Sequence, residues 1–176
     1  VVDHFNSAGL QKGDEKTLLA FWTSAGHFTS PVSRFTQSIS YSNDRGRTWH
    51  KYEDNPIIGH IQGRNRDPNV RWHEEAECWV MALFLGNNHY AFFRSDNLID
   101  WEMTEKIKMP ANECPDLFQL PLDGNDENKK WVFWGGNGKY VVGEFDGKHF
   151  TIEGEAHQTH YGNRYYAAQT FNNAPG

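Results

Sequence analysis

Two acidic residues and one arginine are the strongest candidates for chemistry in this chain. Arg66 and Asp67 are adjacent, and Glu113 follows 46 residues after Asp67. Two carboxyl groups and an arginine around a polar pocket suit glycoside hydrolysis, because one carboxyl protonates the departing oxygen while the other attacks or stabilises the sugar cation. Each acid also has an ordinary structural explanation: Asp67 precedes Pro68, a pair that commonly initiates a turn, and Glu113 could be a solvated loop acid.

Whether these residues lie close together depends on the secondary structure that carries them. The sequence shows a pattern that repeats about every fifty residues. Three turns rich in Asp, Asn or Gly each close with a large aromatic residue, and these aromatics, 52 and 49 residues apart, are Trp49, Trp101 and Phe150. Before each turn lies a β-like run, and before that a more apolar run; the pairs are 18–22 with 37–41, 79–85 with 89–93, and 131–134 with 140–145. Continuous apolar runs of four to eight residues are typical of strands buried on both faces.

A further strand is predicted within each repeat, at 67–72, 116–120 and 166–171. Short strands that recur in fours every fifty residues or so indicate the blades of a β-propeller. Helix signals are nearly absent, aromatic residues make up 15% of the chain, and we interpret 26–35 as a surface loop. The predicted fold class is therefore all-β, with about three and a half propeller blades in 176 residues; an antiparallel β-sandwich with coincidental spacing is the alternative.

In a propeller the first strand of each blade lines the central channel, so residues early in these strands converge on one pocket. Equivalent positions on neighbouring blades would then face each other across the channel, which is where we expect Arg66, Asp67 and Glu113. The further residues expected to face the channel are Asp3, Cys114, Pro115, Asp116, Tyr165 and Tyr166.

Composition excludes several other classes of protein. The formal net charge is −6, and no run of Lys and Arg marks a nucleic-acid surface. The longest apolar run, 79–85, is far too short for a helix that spans a membrane. Two cysteines cannot form a disulfide framework. None of the nine histidines lies in a recognisable metal-binding motif, so neither a metal nor a cofactor is expected.

Several motifs occur in the order found in one enzyme family. They are Val1-Val2-Asp3, the segment 37–49 around Gln37-Ser38-Ile39, Arg66-Asp67-Pro68, Glu113-Cys114-Pro115-Asp116, and Tyr166-Ala167-Ala168-Gln169-Thr170-Phe171. Together they resemble glycoside hydrolase family 32, which contains invertases, inulinases and levanases. One such motif is weak evidence, but five in register over essentially the whole chain are strong evidence.

The resemblance implies a five-bladed β-propeller with a retaining site that cleaves β-fructofuranosidic bonds in sucrose, inulin or levan. In that family pattern Glu113 corresponds to the general acid/base, and Asp67 to the stabiliser of the transition state, which also binds fructosyl hydroxyls. Arg66 corresponds to a residue that binds the same sugar and orients the acids. The implied partner is a fructose-containing oligo- or polysaccharide, and a secreted or periplasmic location is favoured.

The chain also departs from the family pattern. The family's nucleophile is an aspartate in a Trp-Met-Asn-Asp-Pro-Asn-Gly-like motif on the first blade, and this sequence contains no such segment. We therefore expect residues 1–176 to be a partial catalytic propeller domain, without the nucleophile blade, the last blade and the trailing β-sandwich, and inactive in isolation. The chain has His160 where the family often has aspartate, so no role is assigned to that histidine.

Two other functions remain open from the sequence. The parent protein could be a non-catalytic sugar-binding propeller that has lost its nucleophile. It could also be a related propeller hydrolase that cleaves arabinan or xylan by inversion, which would need a gap of about 6.5–9.5 Å between its acid and base.

Overall fold

The computed structural model describes residues 1–171 and consists of three antiparallel four-stranded sheets. In each sheet the strands lie side by side in chain order. Within the described residues the helical content is one 3₁₀ turn, Gly26–Phe28, and no described helix is long and apolar enough to cross a bilayer. The last five residues of the predicted domain lie outside the described part of the chain.

Blade 1, the first sheet, contains β1 (Val2–Asp3), β2 (Thr17–Ser24), β3 (Thr36–Ser42) and β4 (His50–Lys51). The predicted surface loop 26–35 joins β2 to β3. The loop folds tightly on itself, since a Cβ atom on Gly26 would overlap the hydroxyl and the carbonyl oxygen of Ser33. Glycine is therefore required there by the close approach of two segments.

Blade 2 contains β5 (Arg66–His73), β6 (Cys78–Gly86), β7 (His89–Ser95) and β8 (Glu102–Lys108). The β6 strand is buried from its first residue to Leu85, as its continuous apolar sequence predicts. Successive side chains of a strand point to opposite faces. One face of β6 packs towards blade 3 and the other towards blade 1, so blade 2 is the middle layer of the structure.

Blade 3 contains β9 (Asp116–Leu122), β10 (Asn125–Trp134), β11 (Lys139–Phe145) and β12 (Phe150–Gln158). Its aromatic side chains meet those of blade 2 at the shared core, where Phe92 of β7 contacts the rings of Phe133 and Phe145. Edge-to-face and tilted arrangements of this kind add to the stabilisation that burial provides.

The repeated turns predicted from the sequence also share their bonding. In blade 1 the buried Ser42 hydroxyl accepts hydrogen bonds from the backbone N–H groups of Asp44 and Gly46. In blade 2 the Ser95 hydroxyl does the same for Asn97 and Leu98. Asp146 replaces the serine in blade 3, where its carboxylate accepts the N–H groups of Lys148 and His149. Short polar side chains that satisfy nearby backbone donors explain why these residue types recur at the turns.

One predicted strand is wrong: residues 166–171 are not a β-strand. A strand needs a neighbour that offers a continuous ladder of backbone groups, and the described part of the chain pairs this segment with none. Its polar groups instead bond one at a time to blades 2 and 3, and Asn69 of β5 donates to Gln169 Oε1 at 3.1 Å. Ala167 N–H donates to Gly136 O at 2.8 Å, and the Trp134 indole donates to Ala168 O at 3.0 Å. The described structure therefore contains three blades and an irregular fourth segment.

Candidate active site

The structure brings Arg66, Asp67 and Glu113 together although they come from different blades. Arg66 and Asp67 begin β5, and Glu113 lies in the loop that precedes β9. The Arg66 guanidinium donates through Nη2 to Glu113 Oε1, and its Nε lies 3.6 Å from Asp67 Oδ2. One cation therefore bridges two carboxylates at the boundary between blades 2 and 3.

Both acids lie in a backbone conformation that side chains rarely adopt. The φ angles of Asp67, Glu113 and Cys114 are +61°, +54° and +39°. Asp67 also falls within a register shift of the β5–β6 pair, between Arg66 and Asn69. A bulge of this kind re-aims side chains. A non-glycine residue at positive φ costs on the order of 1–3 kcal/mol, and such strain concentrates at functional sites.

Arg66 is fixed from two further sides. Its guanidinium lies over the Phe84 ring, 4.8 Å from the centroid, and its Nη1 donates to Arg64 O at 2.9 Å. A planar guanidinium can use its flat face on an aromatic ring while its edges donate hydrogen bonds. Phe84 belongs to the adjacent strand β6, so the direction of Arg66 is set by blade 2 itself.

Glu113 is held by two tyrosines in addition to Arg66. The Tyr166 hydroxyl donates to Glu113 Oε2, and the Tyr90 hydroxyl donates to the Glu113 carbonyl at 3.2 Å. The sequence placed Tyr166 at the channel but gave it no role, and it did not single out Tyr90. Nothing in the local sequence pairs Tyr90 with residue 113, because the contact arises only when blade 2 packs on blade 3.

Asp67 is positioned through its main chain as well as its carboxylate. Its Oδ2 accepts the Cys114 N–H at 3.2 Å, which ties it to the loop of Glu113. Its own N–H donates to Thr23 Oγ1 at 3.2 Å, and Thr23 donates in turn to Gln37 Oε1 at 2.8 Å. Blade 1 therefore contributes to the site through Thr23, a residue that the sequence did not identify.

Two neutral groups next to the acids have raised pKa values. Burial, followed by the negative charges of Asp67 and Glu113, raises the pKa of the Cys114 thiol to about 11. Burial also raises the pKa of the Tyr90 phenol, with contributions from Cys114 and the same two acids. Both groups therefore stay protonated at neutral pH, and a neutral thiol is neither a good nucleophile nor a metal ligand.

The site is partly enclosed and remains open to a small ligand. The side chains of Arg66, Asp67 and Glu113 are 26%, 33% and 29% exposed, so a sugar could reach all three. A depression of about 380 Å³ adjoins Asp67 and is lined partly by Trp22 of blade 1 and by Gln169. A separate cavity of about 280 Å³ lies near Trp72, at the far end of β5, and does not include the three site residues.

Of the other residues expected at the channel, some are buried and others border the site. Asp3 and Asp116 are fully buried; Asp3 accepts the N–H groups of Ser7 and Ala8 in its own loop. Tyr165 stacks on the His160 ring, with centroids 4.7 Å apart. Pro115 and Cys114 border the depression beside Asp67. Among residues 1–171 no group of three or more His, Cys, Asp and Glu side chains is arranged to hold a metal ion.

Three propeller-like sheets thus bring two carboxyl groups and an arginine together beside a depression that Asp67 lines, and paired carboxyl groups of this kind are what glycoside hydrolysis needs. Comparison with known proteins identifies the family: residues 5–176 match the model of the glycosyl hydrolases family 32 N-terminal domain. The chain belongs to this family, as its motifs suggested.

Individual relatives agree with that assignment. The chain is 40% identical over 197 residues to the levanase of Bacillus subtilis strain 168, an alignment that covers 99% of this chain and 28% of the levanase. A structure of β-fructofuranosidase from Schwanniomyces occidentalis complexed with fructosyl-erythritol superposes with a TM-score of 0.88 and 29% identity, over 100% of this chain and 37% of that one. The exo-inulinase of Aspergillus awamori gives a TM-score of 0.80 and 30% identity, over 98% and 42%.

These superpositions and the three four-stranded sheets confirm the predicted fold, and the chain forms part of a five-bladed β-propeller. It spans roughly a quarter to two fifths of the length of the relatives named above.

Proposed function

We propose that residues 1–176 are part of the catalytic propeller of a longer enzyme that hydrolyses β-fructofuranosidic bonds in sucrose or fructans. The observation that carries this proposal is the Arg66 guanidinium between Asp67 and Glu113, at the junction of two blades in a family 32 chain. The fructose-containing substrate is supported by relatives named levanase and exo-inulinase, and by the fructosyl-erythritol bound to one structural neighbour.

In this proposal Glu113 is the general acid and base. Its carboxyl protonates the glycosidic oxygen as the bond to the fructosyl carbon breaks, and it later takes a proton from the water that releases fructose. The contacts of Glu113 suit a group that must hold one orientation through both steps. Arg66 donates to one of its carboxyl oxygens and Tyr166 to the other.

Asp67 stabilises the transition state. Positive charge develops on the fructofuranosyl ring as the leaving group departs, and a fixed anion near that ring lowers the energy of the charged state. The Cys114 N–H and the Arg66 guanidinium hold the Asp67 carboxylate in place before the substrate arrives. Because this arrangement exists in advance, little reorganisation is needed during the reaction.

Arg66 binds the sugar and orients both acids. Its guanidinium is fixed over Phe84 and contacts the two carboxylates at once. A retaining mechanism also needs a nucleophile, and the family motif for it is not found in residues 1–176. We place the nucleophile in another part of the longer chain, and we expect residues 1–176 alone not to release fructose from sucrose or inulin.

The test compares two substrates in the complete enzyme, meaning the longer chain that contains residues 1–176. The glucose leaving group of sucrose needs a proton on its departing oxygen, whereas 4-nitrophenyl β-fructofuranoside releases 4-nitrophenolate, which is stable without a proton. Glu113→Gln should lower kcat/KM for sucrose by about 10²–10⁴-fold and lower it far less for the aryl fructoside, because kcat/KM reports the step in which the leaving group departs and not the later attack of water. Glu127→Gln, at an exposed position in β10, is the control and should leave both rates unchanged.

Near-normal sucrose turnover by the Glu113→Gln variant would overturn the acid/base assignment. If the unmodified complete protein binds fructan but cleaves neither substrate, the protein is a binding propeller instead of a hydrolase. Cleavage of arabinan or xylan with inversion, in place of fructan, would overturn the substrate class.

A further inference from the structure

Asp116 is a fully buried carboxylate that the mechanism above does not use. It is the first residue of β9 and lies three residues after Glu113. Its Oδ2 accepts the Thr170 N–H at 2.6 Å, and its Oδ1 accepts Asn69 Nδ2 at 3.2 Å, with Arg71 Nη2 at 3.4 Å. The donors come from β5 of blade 2 and from the irregular segment 166–171, so this one side chain joins three separate parts of the fold.

The partners of Asp116 also contact the backbone next to both acids of the site. Asn69 lies two residues after Asp67, and its Oδ1 accepts the Leu117 N–H at 3.4 Å while its Nδ2 also reaches Gln169 Oε1 at 3.1 Å. Gln169 Nε2 donates at 3.2 Å to the carbonyl of Cys114, the residue after Glu113. The network therefore surrounds the backbone that carries both acids.

A side-chain network is needed at this junction because no backbone ladder can supply the alignment. In the described structure β5 and β9 belong to different sheets, and each is hydrogen-bonded along its length only to its own blade. The positive φ angles of Asp67 and Glu113 persist only if the surroundings hold them. A displacement of about 1 Å between reacting groups costs on the order of 10²-fold in rate.

We propose that Asp116 is a positioning residue that sets the distance between the two acids, by fixing the start of β9 against β5 and the segment 166–171. This inference rests on the proposed function. It assigns Asp116 no contact with substrate and no part in proton transfer.

The chemistry of the network requires a carboxylate at position 116. Both of its oxygens face donors: the Thr170 N–H on one side and the Asn69 amide and Arg71 guanidinium on the other. An asparagine would place its NH₂ group against an N–H donor in either orientation, leaving at least one buried group unsatisfied. Burial raises the pKa of Asp116, and the hydrogen bonds from Thr170 and Asn69 oppose that rise.

Asp116→Asn in the complete enzyme is therefore the test, with sucrose and 4-nitrophenyl β-fructofuranoside as the two substrates. We expect kcat/KM for sucrose to fall about 100-fold and kcat/KM for the aryl fructoside to fall less than tenfold, because kcat/KM reports departure of the leaving group and only sucrose needs Glu113 as the acid in that step. The ratio of the two rates is the decisive quantity. A variant that is merely less stable loses active enzyme and lowers both rates equally.

Asp3→Asn is the matched control. Asp3 is equally buried, lies in the first strand of blade 1 and accepts two N–H groups, but those come from Ser7 and Ala8 of its own loop. This variant should lose stability while its rate ratio stays within twofold of the unmodified enzyme. The double variant Asn69→Asp/Asp116→Asn reverses the donor and acceptor of the pair. Its ratio of the sucrose rate to the aryl fructoside rate should return part of the way to that of the unmodified enzyme.

An unchanged ratio in folded Asp116→Asn enzyme, or an equal change in Asp3→Asn, would overturn the inference. If Asp116→Asn does not fold, Asn69→Ala removes a donor to Asp116 together with the acceptor for Leu117, and the same ratio decides the outcome. Failure of the proposed function would look different, because the unmodified enzyme would then cleave neither substrate.

Discussion

At the scale of single residues, the site depends on side chains held where their backbone is unfavourable. Aspartate tolerates positive φ better than most residues because its short polar side chain can bond locally, whereas glutamate gains no such advantage. Glu113 nevertheless adopts a φ of +54° and is followed by Cys114 at +39°. Two hydrogen bonds offset part of this cost: the Tyr90 hydroxyl donates to the Glu113 carbonyl, and the Cys114 N–H donates to the Asp67 carboxylate.

Tyr166 gives a prediction at this scale. Its hydroxyl donates to Glu113 Oε2, and this hydrogen bond strengthens as Glu113 gives up its proton and becomes negatively charged, since a hydrogen bond to a charged group contributes about 1.5–3 kcal/mol. Tyr166→Phe in the complete enzyme should therefore lower kcat for sucrose by about tenfold or more, with a smaller effect on the aryl fructoside. Steady-state kinetics with both substrates measure this.

The neighbouring tyrosine is the control for that variant. The Tyr165 ring stacks on His160 and meets Trp134 edge-on, so its contacts lie away from Glu113. Tyr165→Phe keeps these ring contacts and should leave kcat within about twofold. Equal losses in the two variants would show that the Tyr166 hydroxyl has no special relation to the acid.

At the scale of elements, the repeated turns explain how one sequence pattern builds three blades. Each turn follows the third strand of its sheet and begins with a polar side chain that collects backbone N–H groups. The aromatic residue that closes the turn then packs back on it. The indoles of Trp49 and Trp101 donate to Gly46 O and Leu98 O at 3.0 and 3.1 Å. The turn thereby fixes where the fourth strand starts.

Ser95→Ala tests this role of the turns. The buried Leu98 N–H donates to Ser95 Oγ at 2.8 Å and would lose its partner. A buried backbone donor without a partner costs about 1–3 kcal/mol, so we expect the free energy of unfolding to fall by about 1–2 kcal/mol. Urea denaturation followed by tryptophan fluorescence measures the change.

Asp96 provides a control one residue away. Its side chain is 85% exposed and lies 3.6 Å from the Arg94 guanidinium. Asp96→Ala should change the free energy of unfolding by no more than about 0.5 kcal/mol. A loss from Ser95→Ala no larger than this would mean that the serine does not organise the turn.

At the scale of the whole molecule, the blades are held by two layers of apolar side chains that share strand β6. Val80 and Phe84 face blade 3, while Trp79 and Met81 face blade 1. The polar bonds of the site lie at the start of the first strands of blades 2 and 3. The apolar layers hold the blades together without fixing their register to a fraction of an ångström, since the hydrophobic effect is not directional. Hydrogen bonds such as those of Asp116 supply that direction.

Phe92 provides a direct test of the core that blades 2 and 3 share. It is fully buried on β7 of blade 2 and contacts Phe133, Phe145 and Phe150 of blade 3. Phe92→Ala should lower the free energy of unfolding by about 3–5 kcal/mol, measured by urea denaturation. Val32→Ala, in an exposed loop, should have almost no effect. A Phe92→Ala loss below about 1 kcal/mol would contradict the view that blades 2 and 3 share one core.

Most of the fold follows from patterns that are local in the sequence. Apolar runs bounded by turn residues predicted β2, β6 and β10, and the β-like runs before the turns predicted β3, β7 and β11. The predicted ends agree with the observed ones within two residues, except that β10 begins at Asn125 and not at Trp131. The segment 166–171 shows the limit of that reasoning. Its composition suits a strand, but strand formation depends on a neighbour elsewhere in the chain, and its partners here are single groups of blades 2 and 3.

The sequence by itself determined the repeat, the all-β class, and the pair of motifs that contain Arg66, Asp67 and Glu113. Only the tertiary structure decided that one guanidinium bridges the two acids, that Tyr166 and Thr23 complete their surroundings, and that Asp116 is buried at the junction. The reason is physical. Strand and turn preferences act between residues close in sequence, whereas these contacts join residues 44 to 54 positions apart and form only when blades pack together.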